Sequence, residues 1–148
     1  MRLTYFTDYG LRALMRLASE PERGFSTAEL ADEFGISRHH LLKIIQKLAQ
    51  AGIVSTRRGG GGGAMLARDP REIGLGAIID LLEEGQSLVD CFAPGGTCCL
   101  SGNCRLQPRL RAAERAFLQE LNRSTLADIA LPPRNSGLLR NDEARVPE

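Results

Sequence analysis

Apolar positions along the first third of the chain recur at intervals of three and four residues, the spacing that lines one face of a helix. Leu3, Phe6, Leu11, Leu14, Leu17 and Ala18 predict a helix from about Thr4 to Ser19, which the run Glu20-Pro21-Glu22-Arg23-Gly24 then breaks. Ser26 stands three positions before Glu29, the spacing of a reciprocal cap, and Ala28, Leu30, Ala31 and Phe34 carry a short second helix to Gly35. Ser37 can cap a third helix, whose inward face is Leu41, Ile44, Ile45 and Leu48 and which ends at Gly52. His39, Lys43, Gln46 and Gln50 project together from its other face.

After Gly52 the pattern changes. Ile53-Val54-Ser55-Thr56 reads as a strand, Arg57-Arg58-Gly59 with Gly60 to Gly63 as a hairpin tip, and Ala64-Met65-Leu66-Ala67 as the return strand. Ile73, Ala77, Ile78, Leu81 and Leu82 predict a fourth helix ending at Gly85. From Arg105 to Asn122 a heptad-like stripe of Leu106, Leu110, Ala113, Phe117, Leu118 and Leu121 marks a long helix. Such a stripe suits a dimer seam, and equally packing against the fourth helix. Ser124 to Ile129 adds a short capped turn, and the Pro, Arg, Asn and Glu content from Leu131 predicts a disordered tail. The expected fold is mainly α with a small β wing. A winged helix-turn-helix occupies residues 1–70, a cysteine loop and dimerisation helices occupy 71–130, and a tail occupies 131–148.

A chain of 148 residues, 43% of them hydrophobic, can bury one core. The amino terminus lacks a signal-peptide pattern, and no apolar run approaches the roughly 20 residues a membrane span needs, so a cytoplasmic protein with no membrane partner is expected. Net charge is only +1, but its distribution is uneven. Between Phe34 and Arg68 the chain carries Arg38, Lys43, Lys47, Arg57, Arg58 and Arg68 with His39 and His40, and no Asp or Glu. Placed on a helix-turn-helix and its wing, this one-signed segment suits double-stranded DNA. Ser37, Arg38, His39, His40 and Lys43 are the candidates at the major groove, with Arg57 and Arg58 on the phosphates or the minor groove. An enzyme is not expected, because no Ser-His-Asp arrangement suggests itself and both histidines lie on the predicted reading helix.

All four cysteines, Cys91, Cys98, Cys99 and Cys104, fall in one fourteen-residue window rich in Gly and Pro. Disulfides within so short a stretch would close only small rings, where cross-linking gains least, so a common metal or cluster ligand is the better reading. Thiolates suit iron-sulfur clusters and zinc alike, but the window lacks the paired spacing and the histidines of structural zinc.

Leu3-Thr-x-Phe-Thr-Asp-Tyr-Gly-Leu-Arg-Ala-Leu14, Gly35-Ile-Ser-Arg-His-His-Leu-Leu-Lys-Ile-Ile45, the wing from Arg58 to Ala67 and the cysteine loop together resemble the Rrf-type bacterial winged-helix regulators, over about residues 1 to 130. The resemblance is strongest to the nitric-oxide-sensing repressors of that family. It implies a homodimer that binds a palindromic operator while holding an iron-sulfur cluster, 4Fe-4S in the first instance and 2Fe-2S as the alternative, and leaves when nitric oxide attacks the cluster. The family's trio of ligands maps onto Cys91, Cys98 and Cys104, with Cys99 as the alternative to Cys98. The fourth ligand would be Asp8, reaching the cluster held by the other subunit, with Asp90 as a weaker rival. Asp8 otherwise does what acids do in a first turn, complementing the helix dipole. The cluster-assembly branch of the family has a histidine where this chain has Gln107. Two other readings share the loop: a regulator of iron-sulfur supply or redox state, and a small cluster-carrying redox protein.

Overall fold

The computed structural model describes residues 2–134. Thr4 opens the first helix, α1 (Tyr5–Ser19), its hydroxyl accepting the Thr7 amide. The buried side of α1 is centred on Thr7, Gly10, Ala13, Leu14 and Leu17, and it also takes in Arg16. Ser26 caps α2 (Thr27–Phe34) through the Glu29 amide, and Gly35, at φ 64°, ends it. Only half of the expected reciprocal cap forms, because the Glu29 carboxylate turns to Arg23 and Arg134 instead. Helix α3 (Arg38–Gln50) buries Leu41, Ile44, Ile45 and Leu48 as expected. Ser37 stands at its start but makes no capping hydrogen bond.

Strands β1 (Val54–Arg57) and β2 (Gly63–Leu66) pair antiparallel, with Val54 opposite Leu66 and Arg57 opposite Gly63. The wing is also stitched to the segment before α2. Phe25 and Ala64 exchange both backbone hydrogen bonds, at 2.9 and 2.7 Å, and a side chain at Gly63 would collide with the Phe25 backbone. The fourth helix is shorter than expected: a 3-10 turn at Pro70–Glu72 and an extended Ile73 precede α4 (Leu75–Leu82).

A second 3-10 turn, Asp90–Phe92, begins the cysteine loop, which leads to α5 (Leu106–Leu121). This helix buries no residue, and Leu106 is 62% exposed. It meets α4 at Gly76, where a side chain would strike the Leu118 carbonyl, and Asn122 accepts the Ala77 amide at 3.0 Å, capping α4. The chain returns through a third 3-10 turn, Leu126–Ile129, with the reciprocal cap of Thr125 and Asp128 in place and Leu126 fully buried.

The expected tail begins differently. Leu131 to Arg134 lie against α1 and α2, Leu131 donating to the Met15 carbonyl at 3.0 Å, while 135–148 lie outside the described residues. Among the described residues no helix is long and apolar enough to cross a membrane. One core joins α1, α2, α3, the wing, α4 and Leu126.

Candidate nucleic-acid interface and cysteine loop

Burying the Leu41, Ile44 and Leu48 side of α3 forces the opposite side outward. Ser37, Arg38, His39, His40 and Lys43 are accordingly all exposed, in one patch at the helix start. The two imidazoles lie 6.5 Å apart, centroid to centroid. Arg38 reaches back to Asp32 of α2 at 3.5 Å, an open ion pair that a phosphate can replace. Lys47, nearer the end of α3, is half-buried and instead pairs with the exposed Glu84 beyond α4 at 3.3 Å. Arg57 and Arg58 are exposed on the wing, beside a tip in which Gly59 and Gly61 take φ values of 105° and 76° that L side chains rarely adopt. Reading helix and wing thus present cations on an exposed surface with backbone free to approach a duplex.

All four cysteines are free. Cys91 and Cys104 are half-buried at the two ends of the loop, and Cys98 and Cys99 are exposed between them. The ends are anchored differently. Next to Cys91, Phe92 packs under the Arg111 guanidinium of α5 at 4.2 Å. At the other end the Cys104 sulfur accepts the Gln107 amide at 3.4 Å, so the first turn of α5 directs a donor at this thiol. Among the described residues no three Cys, His, Asp or Glu side chains are brought together as a metal-holding group, so neither the thiols alone nor the thiols with Asp8 of the same chain form one. Asp8, half-exposed in the first turn of α1, is held by Arg12 at 2.8 Å.

The N-terminus of α1 is tied to the end of α4. Glu83 accepts the Thr4 amide and hydroxyl, both at 2.8 Å. Burial pushes this carboxyl up, but the hydrogen bonds from Thr7 and Thr4 outweigh it and hold Glu83 below the usual carboxylate range. Residues 85–88, which lead into the cysteine loop, share an open cleft of about 810 Å³ with Arg2, Thr4, Phe117 and Leu118.

A family model described as Rrf2, iron-dependent transcriptional regulators, matches residues 3–131. The chain belongs to the Rrf2 family. It is 44% identical over 131 residues to the HTH-type transcriptional regulator NsrR of Geobacillus kaustophilus, covering 87% of this chain and 89% of that one. Among solved structures it resembles CymR, the global cysteine regulator of B. subtilis, with a TM-score of 0.70 at 28% identity over 88% of this chain and 96% of that one. T. potens IscR superposes with a TM-score of 0.68 at 27% identity, covering 87% and 85%. This Rrf2 chain is therefore a DNA-binding transcriptional regulator, not an enzyme.

Some structural residues of this Rrf2 chain carried no readable signal. Asn122 caps a helix 45 positions upstream, and Glu83 caps one 79 positions away, partners that local patterns cannot connect. Arg16 did carry one. A cation placed between Ala13 and Leu17 on the buried side of α1 demands a counter-charge, which Glu33 provides.

Proposed function

We propose that this Rrf2 regulator is a homodimeric repressor that binds a palindromic double-stranded operator while it holds an iron-sulfur cluster, and that leaves the operator in response to nitric oxide. One observation carries the reading: the stretch bearing all four thiols joins α4 to α5, while α4 shares the core of the reading domain. Events at the loop therefore act directly on an element packed behind the DNA face. The donor set fits such a group, since the thiols are soft, free of disulfides and at least partly exposed. Cys91, Cys98 and Cys104 would hold the cluster, 4Fe-4S or 2Fe-2S, with Cys99 as the alternative to Cys98 and Asp8 of the partner subunit as the fourth ligand. When bound, the cluster supplies iron with one weakly held position open to a small molecule.

The chain's own residues do the rest. Asp8 exchanges its Arg12 ion pair for its role across the dimer, and the Thr4–Glu83 hydrogen bonds pass any movement of the α1 terminus to the end of α4. Helix α5, which packs on α4 through the side that carries Leu118 but leaves Leu106 exposed, supplies the dimer seam with Leu106 and Leu110. Ser37, Arg38, His39, His40 and Lys43 meet the major groove, and Arg57 and Arg58 meet the phosphates or the minor groove. The position of Gln107 favours nitric-oxide sensing over sensing of cluster supply: the cluster-assembly branch has a histidine there, whereas Gln107 offers Cys104 only its amide.

Duplexes selected from a random pool by anaerobically purified protein should converge on a two-fold symmetric site. Cys91→Ser, Cys98→Ser and Cys104→Ser should each keep the far-UV circular dichroism of the wild type and lose that selection. Apoprotein that binds the selected site with full affinity would overturn the reading.

A further inference from the structure

Arg16 is fully buried, and its guanidinium is shared between two distant parts of the chain. Its Nε and Nη2 donate to the Glu33 carboxylate of α2, while Nη1 donates to the Pro132 carbonyl at 2.9 Å and to Ser19 at 3.4 Å. Two residues on, Arg134 closes the same network from outside. Its Nη1 donates to Glu29 at 2.6 Å, its Nη2 to the second oxygen of Glu33, and its amide to Glu20 at 3.4 Å. Arg23 completes it, donating to Glu29 at 2.5 Å and lying 4.4 Å over the ring of Phe25, whose backbone is bonded to the wing. Three guanidiniums thus face three carboxylates, and the charges balance.

The segment that brings in Pro132 and Arg134 is continuous with the end of α5. Asn122 caps α4, Ser124 accepts the Leu75 amide at 3.1 Å, Leu126 donates to Ile73 at 2.8 Å, and Leu131 donates to Met15 at 3.0 Å. Hydrogen bonds and ion pairs thus run from the α5 terminus to α2, alongside the burial of Leu126 in the core. Charge-assisted hydrogen bonds of this kind are strong and directional, and bidentate guanidinium contacts fix orientation as well as distance.

We propose that residues 131–134 form a clasp that fixes the angle of the helix-turn-helix against the dimer helix, with Arg134 as a positioning residue for operator recognition. Arg134 belongs to neither the groove face nor the cysteine loop; it acts by holding Glu29 and Glu33, on the helix that leads into the Gly35 turn and α3. Half-site spacing on a palindrome is set by that angle. The proposal rests on the operator-binding reading above, and its test has one arm that does not.

In Arg134→Gln as isolated, amide hydrogen exchange along α2 and the Gly35–Ser37 turn should quicken about tenfold, the ratio expected from losing the two partly exposed charge-assisted hydrogen bonds to Glu29 and Glu33, while α4 and α5 keep their rates. On duplexes selected by the wild type, the variant should accept half-sites moved by one base pair in either direction, which the wild type rejects. Arg134→Lys, which reaches one carboxylate at a time, should restore part of that discrimination. Unchanged exchange in α2, equal acceleration throughout the core, or unaltered spacing discrimination in Arg134→Gln would each overturn the clasp. If the wild type itself selects no duplex, the operator reading fails, and the exchange arm still decides whether residues 131–134 hold α2.

Discussion

Replacing Gly76 by alanine sets two opposed effects against each other, and the structure decides which wins. Alanine is favoured over glycine within a helix by up to about 1 kcal/mol, and less in a first turn such as this. Against that, the new methyl would meet the Leu118 carbonyl and lie 2.8 Å from the Asn122 side chain. Neither neighbour can step aside cheaply. The Leu118 carbonyl accepts the Asn122 amide at 2.9 Å to finish α5, and the Asn122 side chain caps α4 through Ala77. Overpacking against fixed neighbours costs about 1–3 kcal/mol, so a net loss of about 1–2 kcal/mol is expected. With a urea dependence of about 1–3 kcal/mol per molar, the unfolding midpoint should fall by roughly 0.5–1 M. Gly10→Ala is the control. Its methyl would meet Leu82 Cδ1 at 2.7 Å, the far end of a side chain that can rotate, and Ile44 Cγ2 only at 3.3 Å, where a shift of a few tenths of an ångström suffices, so its midpoint should move less. A Gly76→Ala midpoint at or above that of the wild type would refute the backbone-clash argument.

Arg57→Ala and Arg58→Ala should each weaken binding to specific and random duplexes alike and lower the salt slope of log affinity by about 1, read by fluorescence anisotropy across a salt series. Cys98→Ser should remove the visible absorption of anaerobically isolated protein while Cys99→Ser keeps it; the reverse result would make Cys99 the middle ligand. Glu83 is held below its ordinary value of 4.5, so its stabilisation is present above that pH and is lost as the pH falls through the lower folded-state value. Glu83→Gln should therefore cost about 1 kcal/mol at neutral pH, after allowance for solvent screening, and should flatten the acid limb of a thermal-melt pH series.

Local signals were the legible ones. Apolar spacing placed α1, α2 and α3, and the serine and glycine at the two ends of α2 act as their types suggest, because a helix terminus is satisfied within a few residues. The wing followed from its glycine run, with strand limits displaced by one residue. What could not be read was set by distant partners. Ser37 has the residue type of a cap and makes no capping bond. Ile73, expected in α4, instead takes an extended conformation and bonds Leu126, and Leu131 to Arg134 fold back because Arg16, Glu29 and Glu33 await them. The site was legible in the same uneven way. Periodicity puts the basic side of α3, with His39 and Lys43, outward as observed, whereas among the described residues of one chain the thiols and Asp8 form no common group.

The central claim, that the thiol loop governs DNA binding in response to nitric oxide, is tested most directly by titrating anaerobically purified protein with nitric oxide while recording visible absorption and operator occupancy on one sample. Thiolate-to-iron absorption that bleaches over the same small excess of nitric oxide that releases the operator is the expected result. A colourless zinc-containing protein, or a coloured one whose operator occupancy ignores nitric oxide, would contradict it.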